Sequence, residues 1–460
     1  MVRGTERGSK FIIAAKRQEH QRFYHDQQRG GTMKKTVTME RLISRPVSAD
    51  GSFPLPVTKL KEFVSIVWSI PFYSTAASQK VMPLLAVEMN DLNPDRNWWK
   101  KKFPGANPFF HHCSFLQYYV ALRDGQPVGR IAAFIDHSYH ERTVQGEIGW
   151  IGLFESSDDD EVASALLGAA TEDLQQGGAV KIIGPARFNA NGEDGLLVDG
   201  FDKHPMVMEP YQPPYYTRFL EQWGVKENDW YAFRMTHESA SPYMERLNDM
   251  RKRGQDLEKR LARQGVAVRC VKMSDWGNEI ARVKTIYNAA WDSSVHPQFE
   301  RFSDEEFDYV ASGLRMIAIE DLVFVVEDVT KPDHPVIGMV VTLPDLNEVI
   351  EEYDRLHGRY VPSDHIYGLS DLRRDLGIYT LLRNRVKHRQ FRQCRVFVLG
   401  TTRKKNGIDA ILYEKTYFAT LRMGVQLGSG SQIADTNPEI YTPLSHMGNA
   451  DITWRVYRHT

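Results

Sequence analysis

Apolar and polar positions along this chain change period in a fixed order. An aromatic-rich segment, KEFVSIVWSIPF, precedes YYVALRDGQPVGRIAAFID, whose two β-rich runs flank Asp124-Gly125. That dipeptide predicts a hairpin, because both residues tolerate the positive φ of a tight turn. GEIGWIGLFE then reads as a strand, DDDEVASALLGAATEDLQQGG as a helix stopped by glycine, and AVKIIGPARF as a further strand.

The second half repeats the order. GVAVRCVKM reads as a strand and NEIARVKTIYNAAW as an amphipathic helix. LVFVVEDV and PVIGMVVTL form a hairpin pair, CRVFVLGTT a strand, GIDAILYEKTYFATLRMGV a helix and QLGSGSQIA a last strand. A hairpin followed by strand–helix–strand resembles the element order of the GNAT fold. The expected class is therefore α/β, with two tandem GNAT-like (acyl-CoA N-acyltransferase) domains, mixed sheets flanked by helices. Residues 1–51 are polar and Arg/Lys-rich without sustained period, and are expected to form a disordered basic leader; Met33 opens MKKTVTMERL, an alternative start. The charged stretch Ser241–Gly265 places the boundary between domains 52–240 and 241–460.

A chain of 460 residues suits two domains. A net charge of −1 argues against nucleic acid as a partner. The three cysteines, Cys113, Cys270 and Cys394, form no CxxC pair, which argues against zinc fingers and a disulfide framework. No apolar run approaches the roughly 18 residues of a membrane helix, and Phe11–Ala15 is too short for a signal-peptide core. The expected location is cytoplasmic. An insertion at about 346–390 adds a peripheral contact with the inner membrane as an expectation. There, Leu376, Ile378, Tyr379, Leu381 and Leu382 beside Arg383, Arg385 and Lys387 suit an anionic surface. The alternative is a helix packed on its own domain.

The GNAT resemblance implies that the loop after the fourth strand of a domain cradles a pyrophosphate at a helix N-terminus. In the first half that loop, Glu155-Ser-Ser-Asp158-Asp159-Asp160-Glu161, is acidic and would repel phosphate. In the second half Leu399 and Thr401 lead into Thr402, Arg403, Lys404, Lys405, Asn406, Gly407, Ile408 and Asp409. Three cations there precede an Asn-Gly pair that lets backbone approach a ligand. Acyl-CoA is the expected donor on this side, with no metal. Asp409 departs from the usual Gln/Arg-x-x-Gly-x-Gly/Ala pattern, which needs a small residue at that place. Asn437 resembles the GNAT position that contacts the pantetheine arm, and by the same analogy Tyr441 is a candidate acid near the sulfur.

Acyl transfer to an amine needs a base for the ammonium proton. Asn189-Ala-Asn191-Gly192-Glu193-Asp194-Gly195 follows a strand and packs amides and carboxylates into one turn. Glu193 or Asp194 is the candidate base, with Asn189 and Asn191 on the substrate; the turn would equally serve as an Asx-rich strand cap. Tyr211, Tyr215 and Tyr216 are candidate substrate hydroxyls or packing residues. His111, beside His112, is a candidate base or orienting group; adjacent histidines cannot readily aim at one ion, so a metal is not expected. His137 and His140 read as structural.

NPFFHH (Asn107–His112), DGQPVGRIAA, GLFES, GPARFNANGEDGLLVDGF (Gly184–Phe201), MVMEPYQPPYY (Met206–Tyr216), IYNAAW, VTLPDLN and RKKNGIDAILYE carry a further resemblance. From about Lys59 onward the chain resembles bacterial tandem GNAT-like proteins, a subset of which look like bacterial ceramide synthase. The resemblance implies transfer of an acyl group from acyl-CoA or an acyl-carrier protein to an amine acceptor, and in that subset to a sphingoid-type base. An aminoacyl-tRNA-dependent transferase and a non-catalytic binding module are the alternatives.

Overall fold

Asp124 and Gly125 both take positive φ, 54° and 75°. They turn β2 (Cys113–Arg123) back on β3 (Gln126–Asp136) along its whole length, as the Asp-Gly signal implies. This chain is described by a computed structural model that covers residues 36–43, 53–94, 107–136, 146–236, 244–291, 296–402, 407–445 and 449–460. His137, His140 and the domain boundary near 240 lie outside the described residues.

β4 (Ile148–Ser156) joins β3, the helix Asp160–Gln176 crosses over, and β5 (Lys181–Gly184) pairs parallel with β4. The crossover helix forms because Asp159 caps its N-terminus and Ala and Leu dominate its interior. Val162, Leu166, Ala170 and Leu174 fall on one face and bury against β2–β4. The second half follows the same plan: β8 (Val266–Cys270), the helix Trp276–Ala290, β9 (Val323–Asp328), β10 (Val336–Pro344), β11 (Gln393–Thr401), the helix Ile408–Arg422 and β12 (Leu427–Ala434). β11 and β12 are parallel.

The halves do not close two separate sheets. The described strands form one sheet in the order β1-β2-β3-β4-β5-β13-β7-β12-β11-β10-β9-β8, with the short β6 (Leu196–Asp199) on β13. β7 (Gly224–Thr236) comes from the first half yet pairs with β12 of the second. β13 (Ile452–His459) comes from the second half yet pairs with β5 of the first. Side by side, β7 and β13 run antiparallel from Gly224↔His459 to Ala232↔Ile452, with Trp230 opposite Trp454 and both fully buried. Each half thus lends its last strand to the other, and the expected pair of mixed sheets is corrected to a single mixed sheet.

The leader expectation also needs correction. Thr38–Arg41 forms β1 on the edge of β2, and Leu42 and Ile43 are buried behind it. The Gln117 amide holds the backbone of Ile43 at both N and O, 2.9 and 3.1 Å.

A buried polar knot fixes the segment Met206–Pro210 against the second half. Glu209 accepts from Arg234 (3.0 Å) and from the Ser431 hydroxyl of β12 (2.6 Å), while Arg395 of β11 donates to Val207 O (2.7 Å). Asp345 accepts from Val207 N (2.8 Å), and burial pushes its carboxyl up to about 7. Breaking one partner of such a buried charged set costs about 3–5 kcal/mol.

Candidate active site

β11 and β12 pair only from Gln393↔Leu427 to Val396↔Gly430. Beyond that point they part. In the β10–β11 register Val398 faces Val341 and Val396 faces Thr342, so Phe397 is an extra residue, a bulge at the point of divergence. β12 turns to β7 instead, with a second irregularity between Gly430 and Ile433. The result is a wedge between two parallel strands, and at its start the Arg395 guanidinium donates to Ser431 O (3.3 and 3.2 Å).

β11 ends at Thr401, whose hydroxyl donates to Ile337 O (3.0 Å), as does Thr402 N (3.1 Å). Leu399 is partly buried behind it. Gly407 opens the next helix at φ 79°, and no side chain caps that N-terminus among the described residues. A β-carbon at Gly407 would also lie 3.0 Å from Leu257. Ile408 is buried and Asp409 is exposed in the first turn. The sequence candidates Arg403, Lys404, Lys405 and Asn406 lie outside the described residues. Past β12, Asn437 N bonds Ala434 O (3.1 Å), and its Oδ1 has no hydrogen-bond partner among the described residues. Tyr441, one turn further, packs on Tyr231 and Phe233.

The equivalent place in the first half has the same skeleton and the opposite filling. β4 and β5 pair only from Ile148↔Lys181 to Trp150↔Ile183, and β4 bulges near Leu153, at φ 51°. There the Tyr216 hydroxyl accepts from Ser156 N (2.6 Å) and donates to Glu155 Oε2 (3.0 Å). Tyr73 donates to the same oxygen (2.9 Å) and Tyr215 to Ser156 O (3.0 Å). Burial first, then the Glu155 charge, raises the pKa of both Tyr73 and Tyr216 well above the ordinary phenol value. The helix N-terminus is spent on Asp159, which accepts from Glu161 N (3.1 Å). Arg123 and Arg218 neutralise the surrounding acids.

Of the two roles open to the candidate tyrosines, substrate hydroxyl or packing residue, the hydrogen bonds describe the second. Tyr215 and Tyr216 close the first-half site, and the buried Tyr211 donates to Phe201 O (3.1 Å). Their hydroxyls serve this chain's own backbone and carboxylates. His111 is exposed on a short helix and meets Glu305 of the second half at 3.1 Å, a contact between halves.

The Asn189–Gly195 turn is built by its own geometry. Arg187 N bonds Glu193 O (2.6 Å), Gly195 N bonds Pro185 O (2.9 Å), and a β-carbon at Gly192 would lie 2.1 Å from Arg187 O. Asn189 accepts from Asn191 N (3.0 Å), and Asn191 donates to Glu300 O (2.8 Å) across to the second half. Glu193 is partly exposed, whereas Asp194 is buried. The Trp230 indole donates to Asp194 Oδ2 (2.9 Å), and Gln432 of β12, two residues past the last β11 pairing, donates to Asp194 O (2.7 Å). Asp194 Oδ1 has no hydrogen-bond partner among the described residues. Burial, opposed by the Trp230 and Gly195 N–H groups, pushes this carboxyl up to about 7. The ring of His296 lies 4.7 Å from that of Trp230, and burial lowers its pKa to about 4, so the imidazole is neutral at pH 7.

The structure thus brings the first-half turn onto the diverging strand of the second half. Sequence reasoning missed Trp230, His296 and Gln432; only the His-Pro pair at 296–297 carried a signal, and that signal is one of a turn. No group of three or more His, Cys, Asp or Glu that could hold a metal occurs among the described residues.

Diverging parallel strands, a bulge and an uncapped glycine-led helix define a GNAT-type acyltransferase fold. No family model matches the chain. It is 32% identical over 279 residues to Protein YghO of Escherichia coli (strain K12), covering 58% of this chain and 66% of that protein, just under two thirds of its length. It is 31% identical over 313 residues to the Bacterial ceramide synthase of Caulobacter vibrioides (strain NA1000 / CB15N), covering 64% of this chain and 76% of that protein. The chain belongs to the family of this Caulobacter protein. A tandem GNAT protein from the clavulanic acid biosynthesis pathway shares 9% identity over 92% of this chain and 98% of its own, at a TM-score of 0.45, too distant a likeness to argue from.

Proposed function

We propose that this chain transfers an acyl group from acyl-CoA to an amine, and that the amine is a long-chain, sphingoid-type base. The observation that carries the reading is the contrast between β11–β12, whose pairing stops at Val396↔Gly430 and whose next helix is led by Gly407 with no side-chain cap among the described residues, and β4–β5, where tyrosines fill the divergence. The donor belongs to the second half, with its phosphates toward Gly407 and the preceding cations; the acceptor belongs to the side of the Asn189–Gly195 turn. The name of the Caulobacter relative supports the long-chain acceptor.

In this reading Asp194 takes the proton of the incoming ammonium. A carboxyl near pKa 7 is a far better base than an exposed one and is still half ionised at neutral pH. The neutral amine nitrogen then bonds to the thioester carbonyl carbon, the carbon–sulfur bond breaks with its electron pair going to sulfur, and the second proton of the nitrogen passes to the departing thiolate, leaving amide and thiol. The backbone at the Phe397 bulge, displaced from the β10 ladder, is the proposed donor to the carbonyl oxygen. Asn437 and Tyr441 are proposed along the pantetheine arm and near the sulfur.

Incubation of the protein with palmitoyl-CoA and a sphingoid base, followed by mass spectrometry, tests the reaction, and calorimetric titration with coenzyme A, acetyl-CoA and palmitoyl-CoA tests the donor. An N-acyl product and tighter binding of the long chain are expected. Binding without product for any amine would overturn the reaction. Product only from an acyl-carrier protein would move the donor from coenzyme A to the carrier.

A further inference from the structure

Fourteen large apolar side chains are exposed among the described residues, and eight of them lie between Leu356 and Tyr379. That stretch belongs to the helical hairpin Asn347–His357 and Leu369–His388, which fills the insertion before β11. On the second helix Leu369, Leu372, Leu376 and Tyr379 recur at helical spacing and form one stripe about 15 Å long. Leu369 is 86% exposed and Leu376 55%. A shallow groove lined by His365, Tyr367, Leu369 and Leu372 adjoins it.

Charge sorts with this face. Arg373, Arg383 and Lys387 of the same helix are exposed, as are Arg355 and Arg359 of the preceding helix and loop, against Glu351 and Asp364 among the acids of the hairpin. The other acids are turned inward. Asp371 accepts from Tyr360 and Ser363, Asp354 pairs with Arg374, and Glu352 pairs with Arg385. Ile378 and Leu382, expected from the sequence to face the lipid, are buried in the core of the second half.

The hairpin is held rigidly. Gly377 lies against the Tyr353 ring, where a β-carbon would approach to 2.3 Å. Arg374 donates to Met82 O and Pro83 O, and Asp375 accepts from Ala86 N (2.9 Å), which ties the helix to the first half. An apolar stripe framed by cations on a fixed helix fits a flat, anionic, apolar-cored partner.

We propose that the Leu369–Lys387 face docks on an anionic lipid bilayer, with Leu369, Leu372, Leu376 and Tyr379 in the headgroup–acyl boundary and the surrounding cations on the headgroups. The test is flotation of the full chain, without donor, with vesicles of phosphatidylglycerol and phosphatidylcholine or of phosphatidylcholine alone. Wild type is expected to float with the anionic vesicles and to do so much less with neutral ones or at high salt. Leu369→Ser with Leu376→Ser is expected to lower binding at least tenfold, and Arg373→Glu with Arg383→Glu severalfold, with circular dichroism unchanged. Wild type that ignores both vesicles, or a serine variant that binds as well as wild type, overturns the proposal. So does light scattering that shows a dimer dissociated by the serine pair, which would assign the face to a second copy. Acyl transfer to a soluble amine without vesicles reads the reaction independently, so either proposal can fail alone.

Discussion

The two wedges of this molecule, one at β4–β5 and one at β11–β12, share strand order, bulge and following helix, and differ in what fills them. In the first half three tyrosines and Glu155 occupy the divergence, and Asp159 takes the helix N-terminus. In the second half Gly407 leaves the helix uncapped among the described residues, and the β11–β12 pairing stops at Val396↔Gly430. The skeleton alone therefore does not make a binding site. In the proposed reading, selectivity for an anionic donor would lie in the side chains of that loop, since helix-terminal N–H groups serve either an internal carboxylate or an external phosphate.

Four variants would break or sharpen that contrast. Asp194→Asn carries the largest expected effect, a fall in turnover of about 10²–10⁴-fold with donor affinity unchanged, and loss of the limb near pH 7 in the pH–rate profile. The same variant separates catalysis from structure. Because burial raises this carboxyl from 3.8 to about 7, ionising it destabilises the fold, a penalty absent below pH 4 and complete above pH 7. Thermal melts should show Asp194→Asn gaining on wild type at pH 8, by up to about 4 kcal/mol, and not at pH 4. Next, Lys404→Ala with Lys405→Ala should weaken coenzyme A binding by about a hundredfold in calorimetry, roughly 3 kcal/mol. Unchanged affinity would remove the phosphates from that loop.

Tyr216→Phe should cost about 1–3 kcal/mol in urea unfolding, by orphaning Ser156 N and one partner of Glu155, with donor binding untouched. Smallest of all, Asp158→Ala with Asp160→Ala should leave coenzyme A affinity where it was, because Tyr216 still fills the first-half wedge. New binding in that variant would show the acids, not the tyrosines, to be the barrier.

Most of the skeleton was legible because each element carries its own period. Asp124-Gly125 specified its hairpin, Asp159 and Gly177 bracket the helix 160–176, and the acidic and basic loops already separated the halves. What escaped was non-local. GVKENDWYAFRMT carries three charges in its first six positions, which obscures a strand, and nothing within it says that it pairs with β12 or that β13 lies beside it. For Tyr215 and Tyr216 the sequence leaves substrate contact and packing both open, because two adjacent tyrosines after prolines reveal nothing about Ser156, far away in sequence. The Asn189–Gly195 turn was visible as polar chemistry, but the choice of Asp194 over Glu193 depends on burial beneath Trp230, which local pattern cannot report.

The reciprocal loan of β7 and β13 has a consequence for how the chain is made. While translation proceeds, β1–β5 and β7 emerge long before β13, so β5 and β7 present unpaired edges during synthesis of the entire second half. The nascent chain thus carries unpaired strand edges while the second half is made, and a nonsense mutation between Thr236 and Ile452 would leave that gap open permanently.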